Sequence, residues 1–174
     1  VTFDTLSSPR TITLDFGTIN CTASNGRSRR GRIDVSYTGR YRDQGTVITI
    51  SPQGYYVNDS HVQGTKTITN MGPNTNGDPH FSIVVNGSLT AAEGSRTATH
   101  TAQRTRTWEQ GSDTPQLADD VYLITGGGSG VNRNGVAYTV SITNALRVAL
   151  SCAWITQGTV QITPQDRPVR TIDY

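Results

Sequence analysis

Hydrophobic and polar residues alternate with a period of two over most of this chain, in short segments separated by Gly, Asn, Asp and Pro. In the segment TATHTAQRTRTW, residues 97–108, five of the six alternate positions are threonine, and Ala, His, Arg and Trp residues lie between them. Successive side chains of a strand point to opposite faces of a sheet, so this pattern predicts β-strands. Neither set in this segment is strongly apolar, and we therefore expect water on at least one of its faces.

The pattern predicts about ten strands and no helix. Short links of regular spacing favour an antiparallel β-sandwich or a barrel-like meander, with residues 1–174 as a single domain. We predict the glycine run 126–130 to be a flexible hairpin or bulged connection. The expected strands lie in segments 11–19, 31–40, 45–58, 62–71, 81–90, 96–109, 120–125, 136–144, 146–152, 159–163 and 169–174.

The apolar members of the best alternating segments predict a buried core. An inward-facing set is expected at every second position of a half-buried strand. The predicted core residues are Ile12, Leu14, Phe16, Ile33, Val35, Tyr37, Val140, Ile142, Val148 and Leu150.

Composition makes the chain polar without making it highly charged. Charged residues are 16% of the 174, below the usual quarter, and hydrophobic residues are only 33%. The formal net charge of +2 is too small to indicate nucleic-acid binding. No apolar run reaches membrane-spanning length, and no signal-peptide pattern is present. Since Val1 begins in a strand-like Val-Thr-Phe, we expect a mature or trimmed secreted product.

Two cysteines, Cys21 and Cys152, lie far apart in the sequence. In a secreted protein they are candidates for one disulfide that closes a long loop. Two buried free thiols are the alternative.

Residues 39–72, GRYRDQGTVITISPQGYYVNDSHVQGTKTITNMG, resemble a family of uncharacterised secreted, lipoprotein-type all-β proteins from Bacteroidetes-type bacteria. The blocks TITLDFG (11–17), RRGRI (29–33), DDVYLITG (119–126) and ITPQDRPVRTIDY (162–174) fit the same family in the same order. The resemblance implies export and residence outside the cell or on its outer surface, and it implies no activity.

Members of this family carry a further cysteine before the region that matches Val1. They also continue past the region that matches residues 172–174, through another cysteine and a final strand. Cys21 and Cys152 could therefore have other partners in a longer chain. The resemblance also implies a sheet edge that lacks its last strand.

No motif predicts catalysis. Ser129 lacks the surroundings of a nucleophile elbow, and the glycine run has neither the spacing nor the following helix of a dinucleotide loop. His61, His80 and His100 are isolated from one another in the sequence, without zinc-ligand spacing. We expect no catalytic residue, no cofactor and no metal site, and we expect that the protein is not an enzyme.

Two groups of residues are candidates for binding. Arg27, Arg29, Arg30 and Arg32 form the densest charge cluster, which would suit an acidic polysaccharide or an acidic patch on a neighbouring subunit. A solvated loop with a charged strand edge is the alternative. Tyr55 and Trp108 are candidates for a platform on which sugar rings stack, or else for core aromatics.

The strand-like chain ends favour assembly. Val1 and Phe3 at one end, and Val169 and Ile172 at the other, belong to segments that could pair with a neighbouring subunit. We therefore expect a secreted or cell-surface structural protein that self-associates through strand edges into an oligomer or filament. A monomeric glycan-binding module is the alternative.

Overall fold

The computed structural model describes residues 1–174 and contains strands but no helix. It therefore has no helix that would be long and apolar enough to cross a membrane. The strands are β1 (Thr2–Asp4), β2 (Arg10–Asp15), β3 (Cys21–Thr22), β4 (Ser28–Tyr37), β5 (Val47–Val57), β6 (Ser60–Pro73), β7 (Pro79–Thr90), β8 (Thr97–Gln110), β9 (Val121–Val131), β10 (Ala137–Ala149), β11 (Gln157–Pro164) and β12 (Arg170–Asp173).

All twelve strands belong to one antiparallel sheet that does not close. The order is β1-β2-β4-β5-β6-β7-β8-β9-β10-β11-β12, and β3 pairs with β4 beside this path. Every contact between strands joins neighbours in this order. The predicted all-β antiparallel fold is confirmed, in the form of an open meander.

Asparagine-rich turns connect several of these strands. Asn58 and Asp59 both have positive φ values, 47° and 61°, and they join β5 to β6 as a two-residue hairpin. Such turns favour Asn and Asp because these residues tolerate the left-handed region. Asn74 and Asn132 open two further hairpins, where each side-chain oxygen accepts from two backbone N–H groups of its own turn.

Strands β9 and β10 are longer than the sequence pattern predicted. The glycine run 126–130 is part of β9 and not a connection, so that prediction was wrong. The segments 136–144 and 146–152 were predicted as separate strands, but residues 137–149 form the single strand β10 with an irregular register after Ile142. Bulges interrupt the alternation of side chains without ending a strand, so each looked like a boundary.

The two faces of the sheet differ sharply in composition. The cross-strand register places Thr, Ser, Asn and Gln on one side, which we call the polar face. The opposite side, the apolar face, continues from one edge strand to the other. Its strand positions include Phe3, Ile12, Leu14, Ile33, Val35, Ile48, Ile50, Val62, Ile68, Phe81, Ile83, Val85, Leu89, Ala102, Trp108, Tyr122, Ile124, Val140, Ile142, Leu146, Val160, Ile162 and Ile172.

Most of the apolar face is only half-covered. Only 13 of 174 residues are buried, and the accessible surface is 10740 Å². A compact chain of 18.8 kDa would expose about 8,300 Å². No second layer of strands lies over the face, which explains the excess of about 2,400 Å².

The predicted core is correct in the facing of its eight strand residues, but it is wrong in its burial. Nine of its residues are half-buried, and Leu150, which follows the end of β10, is 47% exposed. Alternation identifies which side chains share a face, but it does not reveal whether anything packs on that face. The nine half-buried residues are Ile12, Leu14, Phe16, Ile33, Val35, Tyr37, Val140, Ile142 and Val148.

The predicted disulfide between Cys21 and Cys152 is absent, and both cysteines are exposed and free. Cys21 lies in β3, beside β4, whereas Cys152 lies in the turn after β10. Six strand spacings separate β4 from β10, about 29 Å along the sheet. A disulfide requires Cα atoms within about 7 Å, so the order of the strands explains why these two cysteines are not bonded.

Candidate functional surfaces

A row of glycines crosses the middle of the apolar face. Gly64 of β6 lies opposite Gly87 of β7, which lies opposite His100 of β8, and His100 in turn lies opposite Gly130 of β9. A Cβ atom on Gly130 would collide with the carbonyl oxygen of Thr99 in the neighbouring strand. The glycines therefore hold neighbouring backbones close together, and apart from His100 the row carries no side chains.

Gly64, Gly87 and His100 of this row form the floor of a trough of about 320 Å³. The imidazole of His100 stacks on the ring of Tyr138 at one side, with centroids 6.1 Å apart, and His100 Nδ1 lies 3.0 Å from Tyr138 Oη. The remaining walls are mainly aliphatic, and they end at a lysine. The other lining residues on the apolar face include Ile50, Pro52, Val62, Lys66, Val85, Leu89 and Ala98.

The charged residues on the strands of the apolar face all have one sign. Lys66 lies between Ile50 and Val85, and Arg104 lies between Ile83 and Gly126. Neither cation forms an ion pair, and Arg104 Nε is buried without a hydrogen-bond partner. Every strand carboxylate belongs instead to the polar face or reaches it. These carboxylates are Asp4, Asp15, Asp34, Glu109 and Asp173.

One end of the apolar face is covered, unlike the middle. Phe81, Trp108 and Tyr122 form a buried cluster there. Tyr41, from the link between β4 and β5, stacks on Phe81 with ring centroids 4.8 Å apart. The guanidinium carbon of Arg106 lies 5.1 Å from the Phe81 centroid and 4.9 Å from that of Tyr122. We call this region the covered end.

A buried carboxylate orders the aromatic rings of the covered end. Asp120, only 1% exposed, accepts hydrogen bonds from Trp108 Nε1 at 3.1 Å and from the Tyr122 hydroxyl at 3.0 Å. Burial raises the pKa of Tyr122 strongly, and the nearby Asp120 raises it further. Burial likewise raises the pKa of Tyr41, against the opposing effect of Arg106.

Two links supply the cover. Arg42 places its guanidinium 4.6 Å from the Trp108 ring centroid and donates to the backbone oxygens of Ser112 and Thr114, which joins link 38–46 to link 111–120. Asn70 of β6 donates to the backbone oxygen of Tyr41 at 3.0 Å. These contacts hold the links over the aromatic rings, and they leave Phe81, Trp108 and Tyr122 buried.

The arginine cluster of the sequence analysis is distributed over the start of β4. Arg30 pairs with Asp59, and its guanidinium lies 4.0 Å from the ring centroid of Tyr56. Arg32 lies 3.1 Å from Asp34. Arg27 and Arg29 make no ion pair with a carboxylate.

The two candidate stacking aromatics lie apart and are both buried. Tyr55 packs against Phe16 near the start of β4, with ring centroids 5.4 Å apart. Trp108 lies in the covered end, 4% exposed, beneath Arg42. The structure thus gives neither ring a free face. The trough presents His100 and Tyr138 instead, two residues that are far apart in the sequence.

Both edges of the sheet lack a partner strand. β1 is at one edge and β12 at the other, and every residue of both strands is exposed. Phe3 is 67% exposed and Ile172 is 41% exposed, while Val1 and Val169 flank these strands and are exposed as well. Ten antiparallel steps separate the two edge strands, so they run in the same direction.

Comparison of the chain with family models, curated proteins and solved structures finds no match. The candidate surfaces therefore rest on the chain's own geometry. No three His, Cys, Asp or Glu side chains come together in an arrangement that could hold a metal ion.

Proposed function

We propose that this protein is a structural, non-enzymatic subunit of the exterior of the cell, assembled by pairing of its edge strands. The observation that supports the proposal is an open sheet with fully exposed β1 and β12. Unpaired backbone groups and exposed apolar side chains on an edge favour pairing with another chain. The extracellular location is supported by the family resemblance of the sequence.

Strand direction limits the geometry of assembly. Because β1 and β12 run in the same direction, a translated copy would join β12 to β1 as a parallel pair. A copy related by a two-fold axis would join β12 to β12, or β1 to β1, as an antiparallel pair. Antiparallel pairing matches the whole of the sheet and is slightly more stable per residue, so we propose alternating two-fold contacts.

Sedimentation of edge variants separates these geometries. Alternating two-fold contacts predict that Phe3→Lys leaves dimers joined through β12 and that Ile172→Lys leaves dimers joined through β1. The double variant should be monomeric, because a charged side chain on each edge discourages pairing. Head-to-tail contacts predict monomers from either single change. Leu117→Lys is the control, since Leu117 is 72% exposed in a link far from both edges.

A monomeric wild-type protein at all concentrations would contradict edge assembly. Unchanged assembly of the double variant would contradict it equally. Circular dichroism of each variant checks that the sheet remains folded.

The second candidate function is binding of an acidic glycan. Arg27 and Arg29 favour it, because both lack a carboxylate partner while Arg30 and Arg32 have one. Binding of an acidic polysaccharide by monomers, lost on replacing Arg27 and Arg29 by Gln, is the result that would favour this candidate over assembly.

A further inference from the structure

The open middle of the apolar face combines a long aliphatic surface with cations that have no partner. We define the open middle by Ile50, Lys66, Ile83, Val85 and Arg104. Val85 lies opposite Lys66, and Ile83 lies opposite Arg104, so aliphatic side chains flank each charge. The trough with its glycine floor begins at Lys66 and continues along the same face.

Lys66 and Arg104 are close enough to act on one anionic group. They lie two strands and one alternate register position apart, which places their Cα atoms about 12 Å from each other by standard sheet spacings. Both side chains are long and flexible enough to extend over the flanking aliphatic residues. A single phosphate or carboxylate above Val85 and Ala102 would lie within reach of both.

The sign of the charge limits what can cover this surface. A purely apolar layer would bury Lys66 and Arg104 without partners, which is strongly unfavourable. A second copy packed face to face would bring another set of cations against them, because no strand of the apolar face contributes an acidic residue. The complementary occupant has an apolar body and a negative group.

We propose that the open middle binds a single anionic amphiphile, an acyl chain with a phosphate or carboxylate head group. Lys66 and Arg104 contact the head group. The acyl chain lies along the trough over Gly64 and Gly87, toward Val62 and Leu89. The trough volume of about 320 Å³ lies within the range of small-molecule sites, and its lining is mostly apolar with few polar groups.

Calorimetric titration with dodecyl phosphate, below its micelle concentration, tests the proposal directly. We expect saturable binding of one molecule per chain. Dodecyl maltoside, which has the same chain and a neutral head, should bind at least about tenfold more weakly, and inorganic phosphate should show no comparable affinity. Shortening the chain from dodecyl to decyl and octyl phosphate should weaken binding about two- to fourfold per methylene.

Matched variants locate the site. Val85→Asp places a negative charge on the apolar face, whereas Val84→Asp places the same charge on the polar face one residue away. We expect Val85→Asp to reduce affinity for dodecyl phosphate at least tenfold and Val84→Asp to leave it within twofold. Lys66→Gln with Arg104→Gln should have the effect of Val85→Asp. Arg40→Gln with Arg167→Gln, in two exposed links, is its control.

Several outcomes would overturn the proposal. Equal binding of dodecyl maltoside and dodecyl phosphate would show an apolar surface without head-group recognition. Equal binding of inorganic phosphate would show that the alkyl chain of dodecyl phosphate contributes nothing to binding. Binding to vesicles of anionic phospholipid but not to dodecyl phosphate would indicate a membrane surface as the partner. Because the chain-length series uses wild-type protein, a misfolded variant does not prevent the decision.

Discussion

Arg104 and Arg106 are two residues apart on the same strand and the same face, yet they occupy opposite environments. The guanidinium of Arg106 lies near the rings of Tyr41, Phe81 and Tyr122, and it donates to the Tyr41 hydroxyl. Arg104 has aliphatic neighbours and no hydrogen bond or ion pair. The environment of the side chains thus changes from open to covered over two residues of one strand.

The difference shows which parts of the chain cover the buried side chains of a single-layer sheet. The covered end is buried because links 38–46 and 111–120 fold over it and are tied together by Arg42. The strands of the open middle have the same alternation, but no link reaches them. At Phe81, Trp108 and Tyr122 the cover therefore comes from the links, and substitutions should have different costs in the two regions.

The largest expected effect is the loss of a ring from the covered end. Phe81→Ala removes a side chain that is 1% exposed and should lower the free energy of unfolding by about 3–5 kcal/mol. Ile83→Ala, two residues along the same strand in the open middle, should cost only about 1 kcal/mol. Urea unfolding of both variants measures the difference between the two losses of unfolding free energy. Similar costs at both sites would show that the open middle is covered in solution.

A slightly smaller effect is expected from the buried carboxylate. Asp120→Ala leaves Trp108 Nε1 and the Tyr122 hydroxyl without an acceptor, and should cost about 2–4 kcal/mol of unfolding free energy. Asp119→Ala is the matched control, because the adjacent Asp119 is exposed and bonds only to Thr114. We expect the control to change stability by less than about 1 kcal/mol. Equal effects of the two variants would contradict the role of Asp120.

The two arginines provide a sharper comparison with a smaller effect. Arg106→Met removes a cation from three aromatic rings and should cost about 1–2 kcal/mol in urea unfolding. Arg104→Met preserves the packing of the stem and removes a charge without a partner, so stability should fall by no more than about 0.5 kcal/mol or should rise. A greater loss from Arg104→Met than from Arg106→Met would reverse the assignment of covered and open regions.

The smallest effect is a dependence of stability on alkaline pH. The pKa of Tyr122 is raised above its ordinary value of 10.0 in the folded state. The stabilisation is complete below pH 10, where the unfolded phenol is also neutral, and it is lost as the pH rises through the folded-state pKa. The free energy of unfolding should therefore fall above pH 10, less steeply in Tyr122→Phe. Identical slopes for wild type and variant would contradict the raised pKa.

The period-two pattern was sufficient to predict the class of the fold and the sharing of faces. Ile12, Leu14, Ile33 and Val35 do lie on one side, as their alternation requires. Their half-exposure was not predictable, because alternation is the same whether or not a second layer is present. The cover of Phe81 and Trp108 likewise depends on Tyr41 and Arg42, two link residues with no periodic signal.

The trough could not be predicted from the sequence, because the glycine run 126–130 was predicted as a connection and not as part of a strand. Gly126–130 reads locally as a flexible segment, yet each of its residues is in β9. Only the register reveals that Gly130, His100 and Gly87 share a row, and register between strands depends on contacts far apart in sequence. The isolation of His100 in the sequence similarly concealed its contact with Tyr138.

Solvent accessibility of methyl groups tests the openness of the apolar face most directly. A soluble paramagnetic probe broadens methyl NMR signals according to their exposure. If the middle of the face is open, the methyls of Ile83 and Val85 should broaden nearly as much as those of Val84, which is 46% exposed on the polar face, while those of Leu146 and Val121 stay sharp. Protection of Ile83 and Val85 equal to that of Leu146, in the absence of any added amphiphile, would contradict a single-layer sheet.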